Sequence, residues 1–195
     1  METAGFEKLF SRAQIDEHLN RHSDDRKKLK EIEARIFKAG TAFANSTYCQ
    51  LRSLKKEQAY AVNSVRLHEY YFTSLGGEAA EPPPEMLQAL NRDFGSEQEW
   101  QEQFVALGMC SRGWVVLGFD LTGGKLQNYF TDDHTEGVWL VLPLLVMDVC
   151  EHAYCRDYAD RLSYINDFVR NIDWKGVCAR YRAARELYGQ YGKIF

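Results

Sequence analysis

The chain has 195 residues, enough for one compact unit or for two small lobes that share a core. Hydrophobic residues make up 45% of it and aromatic residues 13%, a composition that excludes an intrinsically disordered chain. The formal net charge of −4 does not provide the basic surface with which a general nucleic-acid-binding protein neutralises phosphates. A small anionic substrate remains compatible with this charge, because the local field matters more than the net charge.

No segment of the sequence predicts a leader or a membrane span. Residues 1–12 lack an apolar run of signal-peptide length, and the longest apolar run, Val138 to Met147, is too short to cross a bilayer and contains Pro143. The 5 cysteines are odd in number and form no C-x-x-C pair, which favours reduced thiols over a disulfide framework or a structural zinc site. We therefore expect a cytoplasmic protein without a membrane partner.

Two long helices are predicted first along the chain. Apolar residues and histidines recur at intervals of three and four through residues 11–38, including Ile15, His18 and His22, while Lys and Glu fill the opposite face. A second helix is predicted from about Leu51 to Leu75, with His68 on its inner face. Because a short turn joins the two helices, they are expected to form an antiparallel hairpin.

The Gly- and Pro-rich segment from Gly76 to Pro84 predicts the end of this hairpin and a linker. The elements expected after it are short helices at about 85–94 and 97–110, strands at 114–120 and 126–131, an apolar run at 138–148 that periodicity does not distinguish from a helix, and helices at about 153–171 and 174–189. This order indicates an α+β fold with a three-stranded antiparallel sheet, divided into a helical hairpin at 1–78 and an α+β domain at 79–195.

Four residues suggest a metal site. Asp148 ends the apolar run, and His152 follows it four residues later; a carboxylate at such a position needs a partner, because charged groups are rarely buried alone. The D-x-x-x-H spacing is equally compatible with an ion pair or a helix cap. His18 and His68, on the inner faces of paired helices, would complete a set of three imidazoles and one carboxylate, which suits iron or manganese and does not exclude zinc.

The segment Asp148 to Tyr158, D-V-C-E-H-A-Y-C-R-D-Y, resembles the D-V-W-E-H-A-Y-x-x-D-Y signature of the iron/manganese superoxide dismutases. Matching pieces occur in the same order across roughly residues 10 to 185. They are His18-x-x-x-His22, His68-Glu-Tyr-Tyr-Phe, Ser111-Arg-Gly-Trp114, Pro143-Leu-Leu and Asn171-Ile-Asp-Trp174. The resemblance implies a dismutase that converts superoxide to dioxygen and hydrogen peroxide at one iron or manganese ion per subunit.

The same resemblance implies a role for each matching residue. The implied metal ligands are His18, His68, Asp148 and His152. Trp114 and Tyr71 would pack around the metal, and His22 and Tyr154 would lie near the path of the substrate. Glu151 would reach His152 of a partner subunit in a homodimer, where a carboxylate fixes the imidazole tautomer and raises its donor strength.

Four positions depart from the family pattern. Arg26 stands where the family usually has a Tyr, and Cys150 replaces the Trp of the signature. The glutamine that hydrogen-bonds solvent on the metal is absent, with Ser64 at its helix position and His134 at its sheet position. His134 is expected to tune activity, or else to be an exposed loop residue. Arg26 is expected to gate substrate entry, or else to extend to water with the neighbouring Arg and Lys residues.

Three alternatives to a dismutase make different demands on the sequence. The departures at Arg26 and Cys150 allow a metal-binding protein of the same fold with weak or repurposed activity. A helical di-iron carboxylate protein needs Glu-x-x-His pairs, and no Glu in this chain has a His three residues later. A structural interaction module with incidental histidines would bind no metal.

Overall fold

The computed structural model describes residues 5–77 and 81–191. Its six α-helices are α1 Arg12–Lys38, α2 Gln50–Phe72, α3 Pro84–Phe94, α4 Glu97–Cys110, α5 Arg161–Arg170 and α6 Trp174–Tyr191, and its strands are β1 Trp114–Asp120, β2 Lys125–Thr131 and β3 Val141–Asp148. Single 3₁₀ turns lie at Phe6–Lys8 and Glu151–Ala153. The predicted α+β class is confirmed. The expected domain boundary between residues 78 and 79 lies outside the described residues.

The hairpin of α1 and α2 buries only one of its ends. Ser11 caps α1 by accepting a hydrogen bond from the Gln14 backbone N–H at 3.3 Å. In α1 the buried residues all belong to the first half, and in α2 they belong to the last twelve positions. They are Gln14, Ile15, His18 and His22 in α1, and Ala61, Ser64, Val65, His68, Tyr71 and Phe72 in α2. The helices are antiparallel, so these halves meet and place their histidines together.

Helix α2 ends at Phe72, not at Leu75 as the periodicity predicts. The Thr73 hydroxyl donates to the carbonyls of Glu69 and Tyr70, at 3.1 and 3.0 Å, and closes the last turn. Leu75 then forms an antiparallel bridge with Ile172. Backbone pairing with the connection between α5 and α6 therefore replaces the final helical turn, which sequence periodicity alone does not reveal.

The sheet has the order β2-β1-β3 and is antiparallel throughout. Its register places Trp114 opposite both Thr131 and Asp148, so these residues form one row at the same end of the sheet. The apolar run left undecided by periodicity is a strand from Val141 to Asp148, and it is buried from Leu144 onward. The preceding residues 138–140 are exposed, and Trp139 is 93% accessible.

The predicted helix at 153–171 is wrong in its first half. After the single turn at Glu151–Ala153, helix α5 begins only at Arg161, where the Asp160 carboxylate accepts a hydrogen bond from the Ser163 N–H at 2.9 Å. The residues in between attach the N-terminal segment instead. The Asp157 carboxylate accepts from the Ser11 N–H at 2.6 Å, and the Tyr158 hydroxyl donates to the Leu9 carbonyl at 3.3 Å.

Helices α3, α4 and α6 pack on the sheet. The Trp100 ring of α4 lies 5.2 Å from the Trp174 ring of α6, and its indole N–H donates to Asn128 of β2 at 3.1 Å. These contacts connect helices α4 and α6 and attach α4 to the sheet that carries Asp148. Within residues 5–77 and 81–191, no helix is both long and apolar enough to cross a membrane.

Gly76 lies where the hairpin, the N-terminal segment and the α5–α6 connection meet. Its φ is +97°, and an added Cβ would lie 2.3 Å from the Gly5 Cα, a backbone atom. We expect Gly76→Ala to lower the free energy of unfolding by about 1–3 kcal/mol through backbone strain and this clash. The measurement is denaturant unfolding of the metal-free protein. Gly40→Ala is the matched control because no atom lies within 4 Å of its Cβ position, and equal stabilities of the two variants would contradict the prediction.

Candidate metal centre

Four side chains from separate parts of the chain converge at the buried end of the hairpin. His18 comes from α1, His68 from α2, Asp148 from the last position of β3, and His152 from the 3₁₀ turn that follows. One ligand atom from each residue lies within 4.8 Å of the corresponding atom of every other. The structure thus brings together all four residues that the sequence suggests as ligands.

Asp148 is the centre of this cluster. Its Oδ2 lies 3.1 Å from His18 Nε2, 3.3 Å from His152 Nε2 and 3.8 Å from His68 Nε2. The aspartate is completely buried, the side chains of His18 and His68 are only 3% exposed, and that of His152 is 20% exposed. The cluster is therefore closed to solvent except on the side of His152.

The Asp148 carboxylate is stabilised in its ionised form. Burial raises the pKa of this group, but the adjacent His152 and His18 imidazoles outweigh burial and hold the pKa well below its ordinary range. The second oxygen, Oδ1, accepts a hydrogen bond from the Cys150 N–H at 2.9 Å, which also favours the charged form. The residue therefore offers a carboxylate oxygen toward the three imidazoles.

His68 is neutral at physiological pH. Burial lowers its pKa to about 4, against a weaker opposing effect of the Asp148 charge. Its Nδ1 lies 2.7 Å from the Ser64 carbonyl, which can only accept, so Nδ1 carries the hydrogen. Nε2 therefore presents a lone pair toward Asp148.

These residues fit a resident iron or manganese ion. The Nε2 atoms of His68 and His152 are buried and have no hydrogen-bond partner among the described residues, a costly arrangement unless another group satisfies them. A cation between the imidazoles and the carboxylate would satisfy both nitrogens and compensate the buried negative charge. Three imidazoles and one carboxylate form a donor set suited to redox-active iron or manganese.

Large aromatic side chains surround the cluster. Trp114 and Tyr71 are fully buried, and their rings lie 4.9 Å from His68 and 5.0 Å from His18, respectively. The Phe72 ring lies 5.2 Å from His18. These rings hold the imidazoles in position and exclude water from their sides.

Two further candidate residues, His22 and His134, lie outside the four-donor cluster. His22 is buried with its ring 6.1 Å from the His68 ring, and its Nε2 lies 3.7 Å from Glu69 Oε1. The His134 ring stacks over His68 with 6.3 Å between centroids and lies 5.5 Å from Trp114. Its Nε2 is buried and unpartnered among the described residues, so the side chain is not an exposed loop residue. Burial lowers its pKa, against the opposing charge of Asp148.

Three further candidates lie at the margin of the site. Tyr154 is buried, stacks on Tyr164 at 4.9 Å and accepts a hydrogen bond from Arg161 Nε at 3.2 Å. Arg26 is exposed on α1. The pKa of His22 is lowered mainly by burial; the charge of Glu69 opposes this effect, and the charge of Arg26 adds to it. Glu151 is exposed beside His152.

Cys150, which occupies the position of the signature Trp, is a protonated thiol. Burial raises its pKa, and the nearby Asp148 carboxylate raises it further. Its Sγ donates weakly to the Arg112 carbonyl at 3.5 Å. The residue therefore contributes packing and backbone support to Asp148, and it is not a reactive thiolate.

Sequence reasoning missed three residues that support the ligands. Gln14 is buried and donates to the His152 carbonyl at 2.6 Å, and Tyr164 donates to the Asp148 carbonyl at 2.6 Å. Asp25 accepts a hydrogen bond from Ser64 at 2.6 Å. Gln14 lies one turn before His18 on the same helical stripe, which is a signal that could have identified it. The other two contacts join distant segments and leave no local signal.

Comparison with known proteins agrees with this geometry. A family model described as iron/manganese superoxide dismutases, C-terminal domain, matches residues 82–180. The chain is 36% identical over 162 residues to the superoxide dismutase [Fe] of Cupriavidus metallidurans, covering 81% of each chain. It is 33% identical over 185 residues to the superoxide dismutase [Fe] of Aquifex pyrophilus, covering 91% of this chain and 87% of that protein.

Manganese proteins are also among the relatives. The superoxide dismutase [Mn] 2 of Haloferax volcanii is 33% identical over 125 residues, which is 63% of each chain. The match to the family model, residues 82–180, includes the segment that carries Asp148 and His152. The chain belongs to the iron/manganese superoxide dismutase family.

Proposed function

We propose that this protein is a superoxide dismutase that holds one iron or manganese ion on His18, His68, Asp148 and His152. The observation that carries the proposal is the convergence of these four donors, from four different elements, on one buried point. Family membership, based on relatives that cover most of the chain, supports the same activity.

When bound, the ion would supply the one-electron redox chemistry by which two superoxide anions and two protons yield dioxygen and hydrogen peroxide. The protein holds the four donors in fixed positions. Trp114, Tyr71 and Phe72 keep water away from the sides of the cluster.

His22, His134 and Tyr154 are proposed to serve the reaction without holding the ion. His134 Nε2, which has no hydrogen-bond partner in the part of the chain that the structure describes, is near enough to the ligands to hydrogen-bond a small molecule bound beside His68. His22 is one turn beyond His18 and lies against Glu69, which suits a group that carries protons between the site and solvent. Tyr154 contributes a hydroxyl that Arg161 holds in place.

We propose a cytoplasmic location because all 5 cysteines are free thiols.

We also propose a homodimer formed on the face that carries Glu151. His152 Nε2 faces Asp148 at 3.3 Å, and metal-binding imidazoles commonly donate the N–H of their other ring nitrogen to a carboxylate. Glu151 is exposed on that face, and a two-fold axis there would let each subunit supply the carboxylate to the other.

The central prediction concerns metal content and activity together. Protein loaded with iron or with manganese is expected to consume superoxide in a steady-state assay. His68→Ala is expected to lose tight metal binding and the stabilisation that metal gives, which is about 2.7 kcal/mol at a free metal concentration of 100 times Kd. His22→Asn is the matched control, because it removes a buried imidazole outside the four-donor cluster and should keep the metal. Metal-loaded protein without dismutase activity would contradict the function, and full metal content in His68→Ala would contradict the ligand assignment.

The proposed dimer predicts a concentration-independent mass of two chains at micromolar concentration. Sedimentation equilibrium checks this expectation, and Glu151→Gln should weaken association because it removes the charge that pairs with His152 of the partner subunit. Glu33→Gln removes an exposed carboxylate from α1 and should leave the mass unchanged. A parent protein that sediments only as a monomer would rule out this assembly.

Arg26 is proposed to attract superoxide toward the site. Removal of its charge in Arg26→Ala should slow the second-order rate constant by about twofold at low ionic strength, and the difference should shrink as salt screens the field. The control Arg35→Ala removes the same charge from an exposed position further along α1 and should change the rate less. Rate constants that coincide for the two variants at low and high salt would mean that Arg26 has no steering role.

A further inference from the structure

Ser64 lies between a carboxylate of α1 and a proposed ligand of α2. Its hydroxyl oxygen is 2.6 Å from Asp25 Oδ2 on one side and 3.4 Å from His68 Nδ1 on the other. Ser64 is 1% exposed and His68 2% exposed. The Asp25 side chain is 21% exposed, so the contact lies in the interface between the two helices.

The direction of these hydrogen bonds follows from the hydrogens available. An ionised carboxylate only accepts, so the single hydroxyl hydrogen of Ser64 is donated to Asp25, at a distance typical of a charge-assisted bond. The lone pairs of the Ser64 oxygen then face His68 Nδ1. Its hydrogen points mainly at the Ser64 carbonyl, 2.7 Å away, with the hydroxyl as a longer second acceptor.

We propose that Asp25 is a positioning residue for the metal centre, acting through the Ser64 hydroxyl to raise the strength of His68 as an electron donor. The inference rests on the proposed function, since it assumes that His68 Nε2 binds the ion. Ser64 is four residues before His68 on α2, and Asp25 is seven residues after His18 on α1. The carboxylate, the hydroxyl and the imidazole then form one chain of hydrogen bonds that ends at the ion.

This chain has a definite chemical consequence. A hydrogen bond that ends on a negative charge draws the Nδ1 hydrogen away from the ring and makes Nε2 more basic. A more basic imidazole stabilises the more highly charged, oxidised form of a bound metal. Asp25 should therefore increase metal affinity and lower the reduction potential of the ion.

The field of Asp25 extends into the site. Burial lowers the pKa of His134. Two negative charges oppose this effect, first that of Asp148 and then that of Asp25. The preceding residue, Asp24, provides a contrast. Its side chain is 61% exposed and pairs with Lys27 at 2.9 Å on the outer surface of α1. Asp25 therefore contacts Ser64, which lies beside His68, whereas Asp24 pairs with Lys27 on the surface.

The test compares Asp25→Asn with the control Asp24→Asn in iron-loaded protein. Asparagine keeps the shape and can still accept from Ser64, but it removes the charge. We expect Asp25→Asn to bind metal about tenfold more weakly in chelator competition. The reduction potential, followed by optical titration, should move upward in Asp25→Asn. Asp24→Asn should match the parent in both measurements, and thermal unfolding of the metal-free variants checks that each one folds.

A double-mutant cycle tests the route through the hydroxyl. Ser64→Ala removes the bridge, so Asp25→Asn should have little further effect on affinity or potential in that background. An unchanged effect of Asp25→Asn in the Ser64→Ala protein would mean that the charge acts through space, and it would overturn the proposal. The proposal also fails if Asp25→Asn and Asp24→Asn are indistinguishable.

Both measurements report on the metal and not on superoxide turnover, so they separate this inference from the proposed function. Loss of the effect in an active dismutase would reject only the role of Asp25. Metal-loaded protein that shows the effect but consumes no superoxide would reject only the function. Parent protein that binds neither iron nor manganese would reject both.

Discussion

The structure depends on one buried negative charge. The Asp148 carboxylate has no exposed surface, and such a group costs several kcal/mol unless nearby groups compensate its charge. Three imidazoles lie within 3.8 Å of it, and they come from two helices and a turn that are far apart in sequence. The need to surround this carboxylate explains why the hairpin is buried where α1 begins and α2 ends, and exposed where the two helices are connected.

The remaining elements hold the carboxylate and the imidazoles in register. Antiparallel pairing of β1 with β3 places Asp148 beside Trp114 at the end of the sheet, and Trp114 in turn contacts His68. Gln14 ties α1 to the backbone of His152, and Ser64 ties α2 to α1 through Asp25. Because each ligand is supported by a residue from a different element, a bound ion and the folded chain stabilise each other.

Three of the four candidate ligands were predictable because each one breaks a strong local pattern, and His152 was predictable from its place four residues after Asp148 in the segment that resembles the family signature. His18 and His68 interrupt apolar helical stripes, and Asp148 ends an apolar strand. The contact between Asp25 and Ser64 was not predictable, since it depends on the relative shift of two helices. Local periodicity also failed at residues 154–160, where hydrogen bonds from Ser11 and Tyr158 to distant partners override helical propensity. The Asp160 cap that begins α5 was a local signal for the correct start.

The most direct test of this account is a crystal structure with anomalous diffraction recorded at the iron and manganese absorption edges. The account predicts one strong peak per chain, bounded by His18, His68, Asp148 and His152, with His134 and His22 outside coordination distance. A peak at another position, or an ion coordinated by His134 in place of one of the four donors, would contradict it.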